Sequence, residues 1–344
     1  MGFIVFLGLV LLGGILFSFS AGVYLYSKMF TRKGYESHSS IDDEPHVKDE
    51  KIMTPLLDAK KRWEEKREER KIETIQIKSD EGLSLCGDLW LQKEEKSPVA
   101  LLVHGFTDSA PGLAYLAEDY YNRGFSVLSI NLRAHFQSQG NIPGFSVKDG
   151  EDIVLWLLFL KQRFGDDVKL LLHGVSMGAS SVIMAVYGKK TQIKEVLPMI
   201  SVVVADCGFS SFKTQLQNQI ARILPRKGIQ KIVGKLVYWG ISVSNFICNR
   251  FTLSKASPLD AFQKILKEEK KEKYPMLILF HGKSDSLALP IMSEELFKIA
   301  PAPKRIVLVE NAPHIGSYFY NPNGYMNTII ESVGFEKRLK EEGV

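Results

Sequence analysis

Cysteine is scarce in this 344-residue chain: Cys86, Cys207 and Cys248 are odd in number, widely spaced and form no CxxC. A disulfide framework or a zinc site is therefore not expected. No long basic stripe is present and the net charge is only +5, which excludes the electrostatic footprint of a nucleic-acid binder. No internal repeat is visible. Asp149, Glu151 and Asp152 have the positions of helix-capping acids rather than metal-ligand spacing, and no metal is implied. What remains is ordinary globular composition, 45% hydrophobic and 24% charged, enough for a substantial core.

Charge is also missing locally. Between Gly2 and Ser27 there is not one ionisable acid or base apart from tyrosine. At ~1.5 Å per residue a helix of this length reaches across a hydrocarbon layer of roughly 30 Å. Tyr24, Tyr26, Lys28, Arg32 and Lys33 have the composition of an interfacial border. Residues 1–27 are therefore expected to be a single-pass transmembrane anchor. A cleaved signal peptide is the rival; Met1-Gly2-Phe3 supplies no basic leader, although Ser18-Phe19-Ser20 before Ala21 would serve as a cleavage site. The basic residues all follow the apolar run, which leans the remaining chain toward the cytoplasmic side.

Residues 28–70 read as a polar tether ending in a charged helix over 54–70, with Thr54 as N-cap and Pro55 in the first position. Lys60–Glu64 and Lys61–Glu65 are spaced to pair on a solvated face. From residue 71 the pattern changes. "IETIQIKS" and "LSLCGDLWLQ" alternate around Asp80-Glu81-Gly82, a hairpin. Then "PVALLVHG", "FSVLSINL", "VKLLLHG", "ISVVVAD", "YPMLILFHG" and "KRIVLVENA" alternate with helical stretches, the last helix being placed near 323–340. Continuous apolar strands between amphipathic helices mean a mostly parallel sheet covered on both faces. The stretch at about 210–272 has helices and no good strand, and is expected to be a cap inserted over a ligand crevice. Its Leu236, Val237, Tyr238 and Trp239 either line an acyl pocket or pack the cap onto the body.

Gly174-Val175-Ser176-Met177-Gly178 follows one of these strands and opens a helix. A serine at such a turn projects its hydroxyl above the sheet edge, and the flanking glycines let strand and helix approach. A neutral serine needs a histidine base, itself oriented by a carboxylate. "LILFHGKSDSLALP" places Asp285 after a later strand, and "IVLVENAPHIG" places His314 after the next. The order Ser176, Asp285, His314 is that of the serine-turn architecture. Asp206, after "VVVA", is the rival carboxylate. The oxyanion donors expected are the N–H groups of Met177, at a helix start, and of Phe106, in the loop after "LLVHG". His104 and His281 are read as bonding loop backbone, His135 as structural, and Cys207 as a small buried filler.

At these residues the chain resembles the α/β-hydrolases, and among them the S33 aminopeptidase-like and Bem46-like serine hydrolases. "HGFTDS", "INLRAHFQSQG", "LLHGVSMGASS", "VADCGFSS", "LILFHGKSDSLALP" and "NAPHIGSY" carry the resemblance over about residues 72–340. It implies an eight-stranded, mostly parallel sheet with helices on both faces, a Ser-Asp-His triad and no cofactor. One departure stands out. The family usually has Arg-Gly-His-Gly where this chain has Arg133-Ala134-His135-Phe136, so Phe136 narrows the acyl site or the loop has rearranged. The expected function is hydrolysis of a small-molecule ester, acyl or lipid-like, through an acyl-enzyme, with no nucleic acid as partner. An S33-like peptidase and a silent membrane-bound scaffold are the alternatives. Acyl transfer to an acceptor other than water is not separable by sequence.

Overall fold

The computed structural model describes residues 2–38, 49–94, 96–188, 191–224, 227–268 and 273–333. Three helices come first: α1 (Gly2–Met29), α2 (Arg32–His38) and α3 (Glu50–Glu68). The strands are β1 (Glu73–Lys78), β2 (Ser84–Trp90), β3 (Val99–Val103), β4 (Ser126–Ile130), β5 (Leu170–Val175), β6 (Ile200–Asp206), β7 (Met276–Gly282) and β8 (Lys304–Val309). Between them lie α4 (Ala114–Asn122), α5 (Val147–Phe164), α6 (Met177–Tyr187), α7 (Phe212–Ile223), α8 (Gly228–Asn249), α9 (Pro258–Leu266) and α10 (Ile291–Ile299). The short α11 (Ser317–Tyr320) and α12 (Pro322–Val333) follow the last strand.

The strands make one eight-stranded sheet in the order β1-β2-β4-β3-β5-β6-β7-β8. β1 and β2 are an antiparallel hairpin, β2 pairs antiparallel with β4, and every later pairing is parallel. The hairpin and the α/β alternation are those read from the sequence. β3, β5 and β6 are buried along their whole length, which is why they read as unbroken apolar runs. Their successive side chains serve two cores. Val99, Leu101 and Val103 join the face covered by α5, α6, α9 and α10, while Ala100 and Leu102 join the face covered by α3, α4 and α12.

The N-terminal region differs from its reading in two ways. The polar stretch is not a tether throughout: α2 begins at Arg32 and α3 at Glu50, N-capped by Asp49 with Pro55 inside the first turns. The tether residues 39–48 and the end of the last expected helix, 334–340, lie outside the described residues. α3 has the solvated face expected of it, with Lys61, Glu64, Glu65 and Glu68 exposed, but it also buries Ile52, Ala59 and Trp63 and ties to the body: Arg62 and Lys66 pair with Glu118, and Arg67 with Asp88.

The expected membrane-crossing span is not supported. Among the described residues no helix is long and apolar enough to cross a membrane. The second half of α1 instead packs on α8. A Cβ on Gly22 would run into the Val237 carbonyl, and one on Gly240 into the Phe19 carbonyl, so both positions must be glycine for the backbones to approach this closely. Tyr26 donates to Asn245 at 3.3 Å, and Phe30 enters the main core. Of the residues given two readings between β6 and β7, Val237 packs against α1, Trp239 is 60% exposed, and Tyr238 lines a cavity between α7 and α8 together with Ile220 and Leu224.

Candidate active site

The parallel strands end on one side of the sheet, and four of those ends carry the candidate residues. Ser176 follows β5, Asp285 follows β7, His314 follows β8, and Phe106 lies in the loop after β3. Ligand sites in open α/β sheets form at these carboxyl ends.

Ser176 has φ 55° and ψ −118°, a conformation that disfavours any side chain. The surroundings impose it. Ser176 N donates to Asp206 O at 2.8 Å, and α6 begins at the next residue. A Cβ on Gly174 would strike Gly178 O, and one on Gly178 would strike Val103 O. The strand and helix therefore cross at a distance that only glycine allows. This strained turn lifts the serine Oγ toward the histidine.

The Ser176 hydroxyl stands 2.9 Å from His314 Nε2, and His314 Nδ1 stands 2.7 Å from Asp285 Oδ2. Asp285 is held on both oxygens. Its Oδ1 accepts from Leu287 N at 2.8 Å and Ala288 N at 2.9 Å, and His281 Nε2 lies 3.1 Å from Oδ2. Burial alone would raise the Asp285 carboxyl, but the contacts from His281 and His314 outweigh it and hold the group well below the usual carboxylate range. It is ionised at neutral pH, as the orienting partner of an imidazole must be. The structure thus brings Ser176, His314 and Asp285 into one row.

Asp206, the rival carboxylate, is engaged elsewhere. Ser317 Oγ donates to it at 2.7 Å and the Tyr325 hydroxyl at 3.0 Å. Burial is the leading influence on it and raises its pKa against those two bonds. Cys207 is fully buried, and burial, then the Asp206 and Asp285 carboxylates, pushes its thiol well above the ordinary value. The thiol stays protonated beside the site, so it is no rival nucleophile.

Met177 N opens α6, where the helix dipole favours negative charge. Gly105 approaches so near that a Cβ there would sit 3.1 Å from Ser176 Cβ, which sets the Phe106 loop against the serine. His104 holds the loop after β4, accepting from Leu132 N at 3.0 Å. His135 accepts from Thr107 N at 3.2 Å, beside Phe106, and burial lowers its pKa to about 4. It is neutral, as an acceptor from an amide must be.

Sequence reasoning missed two features. His281 reaches the Asp285 carboxylate as well as the Ala288 carbonyl and Ser293 Oγ. The i, i+4 spacing in "HGKSD" was the available signal. The second is the N-terminal segment, which packs on the loops that carry Phe106 and His135. Phe30 packs on Phe106, Phe145 and Phe212, and Tyr35 packs edge-on against Phe106. Tyr35 also donates to Ala134 O, while Arg32 donates to Phe136 O and, at 2.8 Å, to Ser138 O. No local pattern announces such contacts. They also bear on the departure at 134 and 136. Ala134 has φ 65° and Phe136 φ 45°, so the left-handed backbone that suits glycine is retained with side chains in place. Phe136 is 44% exposed.

Comparison with known proteins agrees with this fold. Residues 94–315 match the family model described as serine aminopeptidase, S33. The chain is 23% identical to the uncharacterized protein YqkD of Bacillus subtilis over 67% of its own length and 69% of that protein. It is 24% identical to the uncharacterized protein YfhR of Escherichia coli O157:H7, over 72% of this chain and 74% of that one. Among solved structures it resembles the esterase Pf2001 of Pyrococcus furiosus, with a TM-score of 0.56 at 18% identity, covering 76% of this chain and 90% of that one. The α/β-hydrolase GrgF of Penicillium sp. sh18 superposes with the same TM-score of 0.56 at 13% identity, over 76% of this chain and 98% of that one. At these identities the structural likeness speaks for the fold.

Proposed function

Because this chain belongs to the serine aminopeptidase, S33, family of α/β-hydrolases, we propose that it is a serine hydrolase cleaving carboxylic esters through an acyl-enzyme. The observation that carries the reading is the row from Ser176 Oγ through His314 to Asp285, at 2.9 and 2.7 Å. Ser176 attacks the carbonyl carbon while His314 Nε2 takes the hydroxyl proton. The tetrahedral oxyanion is received by the N–H groups of Met177 and Phe106. On collapse the bond to the leaving alcohol breaks, and His314 returns the proton to that alcohol. Water then repeats the sequence, with His314 as base, and releases the acid. Asp285 keeps Nδ1 protonated and stabilises the imidazolium. No cofactor is required.

An ester is favoured over a peptide because the loop beside Ser176 carries Phe106, whose ring packs into an apolar aromatic cluster with Phe30 and Tyr35. The family's description keeps an aminopeptidase as the second reading. Membrane attachment through α1 belongs to the same proposal. It is supported by the uncharged run to Ser27 and the basic residues Lys28, Arg32 and Lys33 after it, which suit a cytoplasmic leaflet.

The test is a panel of p-nitrophenyl esters of increasing acyl length and aminoacyl-arylamides, offered to wild type and Ser176→Ala. Labelling by a fluorophosphonate is measured alongside. Ester turnover and labelling that vanish together in Ser176→Ala support the proposal. Faster arylamide turnover moves it to a peptidase, and folded wild type that neither labels nor turns over is a silent scaffold.

A further inference from the structure

Acidic residues are absent from two stretches of the sequence that the fold brings together. Residues 1–35 contain no Asp or Glu, and neither does the stretch from Cys207 to Leu259; between them they carry eleven Lys and Arg. The chain as a whole has a net charge of only +5, so the remainder is net acidic and the positive charge is segregated. The first stretch forms α1 and the first turn of α2, where Arg32 pairs with Glu36 just beyond it, and the second forms α7 and α8. α1 and α8 pack along each other at Gly22 and Gly240.

The outer sides of this pair are apolar. On α8, Ile229, Ile232, Trp239, Phe246 and Ile247 are exposed, at spacings that place most of them on one stripe. On α1 every described side chain from Phe6 to Phe17 is exposed, with Phe17 at 77%. So large a contiguous apolar surface marks an interaction site. A bare protein partner would leave the segregated cations unexplained; an anionic lipid surface accounts for both properties.

The contacts also fix the depth. Phe19 and Gly22 meet Val237 and Gly240, and Tyr26 meets Asn245, so the two helices run in the same direction. Lys231 and Lys235, both exposed, then stand level with the part of α1 between Gly13 and Phe17. Ammonium groups there exclude the bilayer centre but suit the headgroup layer, where lysine stems lie along apolar surface and the charges reach phosphate. Trp239 and Tyr24, also exposed, have the amphipathic rings favoured at that depth.

We propose that the outer face of α8 and the apolar surface of α1 form one docking surface that lies in the headgroup layer of an anionic bilayer. This builds on the membrane attachment proposed above and adds the cap to it. α7 continues from the same surface to the catalytic loop, where Gln215 and Gln219 donate to Leu287 O at 2.8 and 2.7 Å, two residues past Asp285. The active site is thereby held close to the membrane, where an apolar ester is concentrated.

Trp239 provides the readout. Trp63, Trp90 and Trp156 are buried, at 0%, 7% and 0% exposure, and report little on the surface. Full-length protein is mixed with vesicles of phosphatidylcholine, or of phosphatidylcholine with phosphatidylglycerol, with and without bromine on the acyl chains. The expected result is a blue shift and quenching by brominated lipid, both lost in Trp239→Phe while binding persists. Lys231→Gln with Lys235→Gln should weaken partitioning onto the phosphatidylglycerol vesicles by roughly 25-fold, ~5-fold for each lysine, and leave binding to pure phosphatidylcholine unchanged. Protein that sediments with vesicles while Trp239 stays unquenched overturns the inference and leaves attachment through α1 standing. Failure to sediment with either vesicle overturns both. A blue shift without lipid, at the mass of a dimer, gives the surface to a second copy and overturns the inference as well.

Discussion

The ring of Tyr35 lies on the ring of His135, their centroids 5.3 Å apart and their planes at 19°. The N-terminal segment is thereby joined to the loop that sets Phe106, because His135 also accepts from Thr107 N. Tyr35→Phe keeps the stack and loses one hydrogen bond, a cost of about 1 kcal/mol in stability. Its kcat/KM should stay within about threefold of wild type on that scale. Tyr35→Ala removes stack and bond together, and the loop that carries Phe106, the proposed oxyanion donor, is left to shift. A fall in kcat/KM of ~10-fold or more is expected, since small displacements of reacting groups are costly. Ester kinetics with urea unfolding of both variants check this; full activity in Tyr35→Ala would mean that the segment does not position the loop.

The second imidazole at Asp285 makes a separate prediction. His281→Ala strips a donor from Asp285 and leaves Ser293 Oγ and the Ala288 carbonyl without it in the interior. Stability should fall by about 2–3 kcal/mol, the cost of unsatisfied buried groups. kcat should fall about 10-fold with KM little changed, because Asp285 still holds His314 but in a looser geometry. Asp285→Asn should be far worse, ~10⁴-fold in kcat, because an amide does not enforce the required tautomer. Equal losses in the two variants would show that His281 does more than steady the carboxylate.

The parts legible in the sequence are those whose cause is local. β3, β5 and β6 are buried on both faces, so they had to be apolar runs. Ser176 sits where helix and strand cross, so Gly174 and Gly178 had to be small. The meeting of Asp285, His314 and Ser176 was legible because chain order and strand ends limit which side chains can converge there. The start of α3 was misplaced because Pro55 also fits inside the helix, six residues after the Asp49 N-cap. α1 read as a span because periodicity does not reveal a partner: its packing on α8 depends on Gly22 meeting Gly240, far apart in sequence. Tyr35 on His135 was hidden for the same reason.

Phe136 offers a test of backbone strain. Its φ of 45° is a left-handed conformation held by a non-glycine residue, which costs roughly 1–2 kcal/mol. The side chain is 44% exposed, so its packing offsets only part of that cost. Phe136→Gly relieves the strain but loosens the unfolded chain by ~0.4–1 kcal/mol. The net expectation is a gain of about 0.5–1 kcal/mol by urea unfolding. Arg32→Ala should act in the opposite direction, since Arg32 secures this loop through the carbonyls of Phe136 and Ser138. A loss of stability in Phe136→Gly would mean that the aromatic ring has a packing role.

Acid should weaken the fold through its buried histidines, and His173 isolates the effect. The Tyr120 hydroxyl lies 2.9 Å from its Nδ1 and the Tyr325 hydroxyl 2.8 Å from its Nε2. Burial lowers its pKa to about 3, against ~6.5 in the unfolded chain. Below pH ~6.5 the unfolded state therefore takes a proton that the folded state refuses. Stability falls as pH drops through this window, by up to about 1.4 kcal/mol per unit for one site. Asp108 and Asp149, both raised to about 6 chiefly by burial, work the other way. Their folded forms take protons before the unfolded ones do, so the wild-type curve mixes both signs. The clean quantity is the difference between wild type and His173→Gln, whose amide can accept from one tyrosine and donate to the other. The variant is expected to be less stable at neutral pH and to lose less on acidification, so that the two unfolding curves converge between pH ~6 and ~4. Curves that stay parallel across that interval would show that His173 takes its proton in the folded protein too.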